Sequence, residues 1–168
     1  AYGITFPETT LQDLPGKDQP NDFQNCFDAD ENGIISEKAC VGGHFRFLFY
    51  PKNKVKSPIQ WSSFSYHPIG RLPPGIFDVP LFEFRFNLNE FFETNSIKLG
   101  PCPGLINCED YALAAKEVPE KYLPKGYASM NIIEGKVGNL LVNTYGSEFD
   151  PKKKFRNSFI LGSFNGKI

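Results

Sequence analysis

Apolar and polar residues alternate along two stretches of this chain with the period of a β-strand. His44 to Tyr50 reads HFRFLFY, with Phe45, Phe47 and Phe49 on one side and His44, Arg46 and Leu48 on the other. Leu81 to Asn87 reads LFEFRFN, with Phe82, Phe84 and Phe86 set against Leu81, Glu83, Arg85 and Asn87. Successive Cβ atoms of a strand point to opposite faces, so this pattern predicts two strands. Rows of phenylalanine belong in a core. The expectation is that both rows pack inward and that 81–87 is a central strand. Ile59 to Tyr66 is a third strand candidate and carries Trp61, the chain's single tryptophan. The turn Pro73-Pro74-Gly75 feeds the run from Ile76 to Asn87.

Helical periodicity is sparse. Asn107 can cap a helix through Glu117, with Glu109 and Asp110 in its first turn, where acids suit the helix dipole. Tyr111, Ala114, Ala115 and Val118 form its apolar stripe, and Pro119 stops it. Leu88 to Ile97 is a second short helix, capped by Asn87 or Asn89. Strands return over 128–133, 139–144 and 155–164. Asn165-Gly166 is a strong hairpin turn signal. Only Lys167 and Ile168 follow it, which suggests a chain that continues or an end that is clipped or disordered. Residues 1–25 read as an extended lead-in. The predicted fold is a single, mainly β domain over 1–168. Its twisted antiparallel sheet closes into a barrel or sandwich, with one or two short helices.

Composition narrows the function classes. A chain of 168 residues can bury roughly 70% of its unfolded surface, and 17 phenylalanines supply a large aromatic core. The net charge of −1 offers no basic field for phosphates, so nucleic acid is not an expected partner. The run Lys152-Lys153-Lys154 reads as a solvated turn. No apolar run reaches the ~20 residues of a membrane helix, so no membrane insertion is expected. The chain begins at Ala1 with no charged-then-apolar leader, as a processed secreted protein or a trimmed chain would.

The four cysteines fall into local pairs, Cys26 with Cys40 and Cys102 with Cys108, each bracketing a turn-rich segment. Two disulfides with these pairings are expected, ahead of free buried thiols and of a metal site, which needs tighter ligand spacing. Disulfides would imply an oxidising, extracellular compartment.

One loop has the spacing of a calcium site. In it Asp28, Asp30, Asn32, the Ile34 carbonyl and Ser36 would supply oxygens and Gly33 the sharp turn. The twelfth position is Ala39 instead of a bidentate Glu, and the flanks lack helices, so an EF-hand is not expected. A weaker site completed by Glu37 or a distant carboxylate, or a polar turn inside a disulfide-closed loop, are the two readings. His44 and His67 are read as surface or hydrogen-bonded residues. No nucleophile–base arrangement is legible, so no catalytic residue is named. The candidate ligand-binding residues are His44, Arg46, Trp61, Glu83 and Arg85.

Several pieces of the chain carry a resemblance. They are Pro68-Ile69-Gly70, Pro73-Pro74-Gly75, Phe77-Asp78-Val79-Pro80 and the row Phe82, Phe84, Phe86. Further on come Val137-Gly138-Asn139-Leu140, Ser147-Glu148-Phe149 and the run from Phe159 to Gly166. In order and spacing, residues 57–168 resemble an uncharacterised, domain-of-unknown-function family best known from a Thermus protein. That family carries a Pro-Pro-Gly-x-Tyr-Asp-x-Pro turn and a His-Phe-Asp-Phe-His-Phe-Tyr strand. Where it carries histidines, this chain has Arg71, Leu81, Arg85 and Asn139. A histidine face suits zinc, copper or iron. The departures therefore imply a kept framework with altered or abandoned chemistry, and no transition metal is expected here. The resemblance also implies a homo-oligomer.

Two functions follow as expectations. The first is a secreted, non-enzymatic binding or structural module that holds an apolar or aromatic small molecule in a Phe-rich interior. The second is a metal- or calcium-dependent enzyme diverged from a histidine-bearing ancestor.

Overall fold

The computed structural model describes residues 3–28, 30–36, 39–40, 42–49, 56–71 and 73–168. Among the described residues its regular structure is two three-stranded antiparallel sheets, one further short strand, two short α-helices and three single 3-10 turns. The first sheet holds β1 (His44–Phe49), β2 (Trp61–His67) and β3 (Leu81–Asn87), in that order. After it come α1 (Phe91–Ser96), β4 (Leu99–Cys102) and α2 (Cys108–Ala114). The second sheet holds β5 (Tyr127–Glu134), β6 (Gly138–Asn143) and β7 (Ile160–Ser163). The chain is therefore mainly β, as its pattern predicts. The expected closure into a barrel is not found: among the described residues no ladder joins the two sheets. The reason lies in the connection. After β3 the chain passes through α1, β4 and α2 before β5, so no short hairpin sets β3 beside the second sheet.

The strand expected to be central is an edge strand. β2 lies between β1 and β3, and its serine-rich sequence is the more buried. The register also corrects the assignment of faces. Phe47 lies opposite Ser63, and Ser63 opposite Arg85. Directly opposed residues share a face. The Phe row of β1 is thus on the same side as Glu83 and Arg85, and the Phe row of β3 is on the other. Phe45 is buried, whereas Phe84 and Phe86 stay 40% and 38% exposed; the β1 row packs inward only at Phe45, since Phe47 and Phe49, toward the sheet's other end, stay 37% and 64% exposed. The β3 row is partly roofed by the lead-in: the Phe6 ring lies 6.4 Å from Phe64, 6.3 Å from Phe82 and 6.4 Å from Phe84.

Helix ends follow the local chemistry. The Asn107 side chain accepts from the Glu109 N–H, as predicted, although α2 stops at Ala114. α1 starts after Glu90 instead of Asn87 or Asn89, and the Glu93 carboxylate accepts from the Glu90 N–H at 3.1 Å. β5 carries a bulge. Four residue steps from Ser129 to Ile133 match two steps from Leu141 to Asn139 on β6, and Asn131 takes a φ of 55° to accommodate them. The Asn165-Gly166 turn forms with φ of 52° and 72°, and Phe164 bridges Lys167. β7 is shorter than the predicted 155–164 because only its last residues pair with β6. An apolar cluster of Ile97, Ile106, Ala114 and Ile133 packs β4 and α2 against β5.

Both expected disulfides form, Cys26–Cys40 and Cys102–Cys108. Opening Cys26–Cys40 by a double Cys→Ala change is expected to cost about 2–4 kcal/mol, and the shorter 102–108 loop less. Denaturant melts of the two variants check the order, and equal losses would show that chain entropy does not set it.

Candidate functional site

The inward face of the first sheet differs from strand to strand. β1 presents Phe45, Phe47 and Phe49. β2 presents Trp61, Ser63, Ser65 and His67, all within 4% of full burial. β3 presents Leu81, Glu83, Arg85 and Asn87. A wall of small hydroxyl side chains thus runs between an aromatic row and a charged row.

The charges are gathered into one network. The Arg85 Nε donates to Glu83 Oε1, and its Nη2 donates to Glu134 Oε1 at 2.8 Å. The Arg71 Nη2 bonds Glu134 Oε2, and its Nη1 lies 3.3 Å from Glu83 Oε2. Two guanidinium groups and two carboxylates therefore alternate in a ring. Side-chain exposure is 19% for each arginine, 24% for Glu83 and 9% for Glu134. Desolvation pushes the Glu83 carboxyl up, but Arg85 and Arg71 outweigh it and hold the group well below the usual carboxylate range. Arg85 is raised, because the attraction of Glu83 and Glu134 exceeds the cost of its burial.

Local sequence explains how these groups meet. Glu83 and Arg85 are two apart on β3 and so share a face. Arg71 comes from the turn after β2. Gly70 there takes a φ of 78°, and a Cβ would collide with the Phe77 carbonyl oxygen. The Arg71 N–H then donates to that same carbonyl at 2.8 Å, which returns the arginine to the sheet. Glu134 ends β5, past the bulge, and ties the second sheet to the first.

His67 closes the network. Its Nε2 lies 2.9 Å from Ser65 Oγ and 3.3 Å from Glu83 Oε2. Burial lowers its pKa below the ordinary 6.5, and the bond to Glu83 opposes that only in part. Serine, histidine and carboxylate invite comparison with a hydrolytic triad, but the geometry differs. Both partners use the same ring nitrogen, whereas a triad places base and orienting acid on opposite nitrogens. A carboxylate only accepts, so Nε2 must carry the proton that faces Glu83. Ser65 Oγ can then only accept from Nε2–H, and no base takes its proton. Ser65 is also 1% exposed, out of a substrate's reach.

The sequence-predicted ligand residues separate. Glu83, Arg85 and Trp61 share the inward face. His44 and Arg46 lie on the opposite face, tied to the lead-in: His44 Nε2 meets the Gln19 carbonyl at 2.6 Å, and Arg46 Nη1 meets Asp22 Oδ2 at 3.0 Å. Trp61 packs among Phe47, Phe49 and Phe91, with ring centroids 5.9, 6.5 and 5.0 Å away. Of the four positions marked by the resemblance, Arg71 and Arg85 meet in the network. Asn139 accepts instead from Ser129 Oγ at 2.8 Å on the second sheet. Glu134, Arg71 and His67 were not predicted as partners of Glu83. Charged residues two apart on an otherwise aromatic strand were the only signal for the network.

In the Asp28 loop, Asp28 Oδ2 accepts from the Gly33 N–H at 2.6 Å, and Asn32 Oδ1 from the Ile34 N–H at 2.7 Å. Asn32 Nδ2 donates to Asp30 Oδ2 at 2.7 Å. The Gly33 bond is the main reason that the Asp28 carboxyl lies below its ordinary value. Ile34 and Ser36 are exposed, and Glu37 lies outside the described residues. Among the described residues no three His, Cys, Asp or Glu side chains are close enough together to hold a metal ion. No described helix is long and apolar enough to cross a membrane.

No protein-family model, curated protein or solved structure matches the chain. The resemblance to the Thermus family thus stands on its quoted motifs alone.

Proposed function

We propose that this chain is a secreted, non-enzymatic binding or structural module. Its two sheets face each other as a sandwich, and its Phe-lined interior holds an apolar or aromatic small molecule. One observation carries the reading: the ionisable groups between the sheets are committed to one another. Glu83, Glu134, Arg71 and Arg85 form a closed ring, and His67 donates into it. Catalytic groups need a free proton site or a free nucleophile, and this ring leaves neither. It is suited to clasping two sheets together. The disulfides support the extracellular part of the reading, and the homo-oligomer rests on the resemblance. A native mass spectrum of the purified protein is expected to show excess mass that denaturation removes, and to give the subunit number. A native mass equal to that of the bare chains would count against ligand holding.

Calcium is a second proposal, favoured by one atom. Asp28 Oδ1 is buried and has no hydrogen-bond partner. Without the bidentate Glu the site would be weak, with a Kd of about 10⁻⁴–10⁻³ M. Calcium in the millimolar range is then expected to raise the Tm relative to chelator, by mass action. The shift should vanish in Asp30→Ala, and a parent protein indifferent to calcium would leave only a polar turn.

A further inference from the structure

A partly open cavity of about 220 Å³ lies against the second sheet. Val118, Leu123 and Leu141 give it apolar walls, and Glu117, Ser129 and Asn139 give it polar side chains. Asn139 follows Gly138, and Gly138 lies opposite Glu134. Successive strand residues point to opposite faces, so Asn139 and the cavity are turned away from Glu134 and its arginines. The segment after α2 supplies the other wall. The turn at Asn165 holds that segment in place. The Asn165 N–H donates to the Leu113 carbonyl at 3.0 Å, and Lys116 Nζ donates to Asn165 Oδ1 at 3.2 Å. Glu117 and Val118 follow directly.

Size limits what enters. Pockets for drug-sized ligands run to ~300–1,000 Å³, whereas an apolar cavity of ~150 Å³ admits benzene. This cavity suits a single ring with a short chain.

Two polar groups set its chemistry. Asn139 is only 4% exposed, although it lines the cavity. Ser129 Oγ accepts from the Asn131 N–H at 2.9 Å and donates to Asn139 Oδ1 at 2.8 Å. The Asn139 Nδ2 is left with two N–H groups and no hydrogen bond among the described residues. A buried amide donor in that state calls for an acceptor, and the cavity is where one can stand. Glu117 is exposed, and its carboxylate has no hydrogen bond or ion pair among the described residues. A carboxylate only accepts, and a cationic donor suits it best. The buried amide thus marks the floor and the exposed carboxylate the rim, with Val118, Leu123 and Leu141 around them.

We infer that this cavity binds a small amine with a ring-sized apolar body and an oxygen acceptor at its far end. The oxygen accepts from Asn139 Nδ2, the body packs on Val118, Leu123 and Leu141, and the ammonium meets Glu117 at the rim. No phenylalanine lines the cavity. The site is therefore separate from the Phe-lined interior proposed above and does not rest on that reading, which the native mass tests on its own.

The test uses the intact, isotope-labelled protein and three probes. Tyramine carries both polar ends, phenethylamine lacks the hydroxyl, and hydroxyphenylpropionate replaces the ammonium with a carboxylate. Tyramine is expected to bind saturably and to shift the side-chain NH₂ resonances of Asn139. Phenethylamine should bind about fivefold more weakly, the worth of one neutral hydrogen bond. Hydroxyphenylpropionate should bind more weakly still, because its charge repels Glu117. Glu117→Gln should weaken tyramine about threefold, the size of an exposed ion pair, and high salt should close that gap. Glu117 is exposed, so this variant should fold as the parent does, and a thermal melt checks it. Either comparison probe binding as tightly as tyramine overturns the assignment. So does tyramine binding that leaves the Asn139 resonances unmoved, or an affinity unchanged in Glu117→Gln. Saturation by none of the probes overturns it as well, with water then meeting the Asn139 amide.

Discussion

Replacing Arg85 with methionine is expected to destabilise the fold by about 3–5 kcal/mol, because it leaves Glu83 and Glu134 buried with one guanidinium between them. The methionine keeps the apolar stem, so the loss reports the charge and not the packing. The two carboxylates would then compete for Arg71, and Glu83 would lose the guanidinium that attracts it most strongly. The acid response of the parent follows from the same groups. His67 has a folded pKa below the ordinary 6.5. Above pH 6.5 it is neutral in both states and its contribution is complete. As pH falls below 6.5 the unfolded chain binds the proton first, so stability declines until the lowered folded pKa is passed. Glu83 has a folded pKa well below 4.5. Its contribution is complete above 4.5 and is lost as pH falls through the folded value. The two windows adjoin, and the parent should lose stability on acidification in two overlapping stages. In Arg85→Met the Glu83 stage should shift to higher pH, since the variant's carboxyl is less stabilised as an anion. A double change, Arg85→Met with Glu83→Leu, should recover most of the loss, because it removes the unpaired charge and leaves the Arg71–Glu134 pair. Urea melts from pH 2 to pH 8 measure all three. A cost in Arg85→Met of only about 0.5 kcal/mol would mark the ring as an ordinary solvated ion pair.

Much of this architecture was legible in the sequence, and the part that was not has a specific cause. Period-two alternation located β1, β2 and β3 within a few residues, because a strand's pattern is local. The cysteine pairs were legible for the same reason, each closing a short loop. Which face of β3 points inward was not legible. Three phenylalanines outweigh Glu83 and Arg85 on any hydrophobicity scale, yet the register sets Arg85 opposite Ser63. The polar face is inward because its charges find partners at Arg71 and Glu134, the latter 49 residues from Arg85. Such a partner cannot be read from a local pattern. The Phe face could turn outward because Phe6 comes from the lead-in to cover part of it. β4 was missed as well. It has only four residues and includes Gly100 and Pro101, which a propensity reading assigns to loop. The bulge in β5 has its only sequence trace at Asn131, a residue type that tolerates positive φ.

Truncating Phe45 to alanine is expected to cost about 3–5 kcal/mol, and truncating Phe84 about 1–2 kcal/mol. The two residues look equivalent in sequence, each alternating with charged neighbours in a phenylalanine row. The structure separates them. Phe45 is 6% exposed and meets Phe47 edge-on at 4.8 Å, so its removal opens a cavity in packed surroundings. Phe84 is 40% exposed on the outer face, and its loss removes partial burial against Phe6 and Phe64 without leaving a closed void. The difference between the variants, measured by denaturant melts at one pH, tests the assignment of faces with little dependence on either absolute value. Phe6→Ala adds a control. It should lower stability by roughly the same modest amount as Phe84→Ala, and the double variant should fall short of the sum, because the two rings share one contact. Phe84→Ala proving as costly as Phe45→Ala would place the β3 row in a core after all. Glu83 and Arg85 would then have to face solvent, and the charged ring would lose the burial that makes its pairing matter.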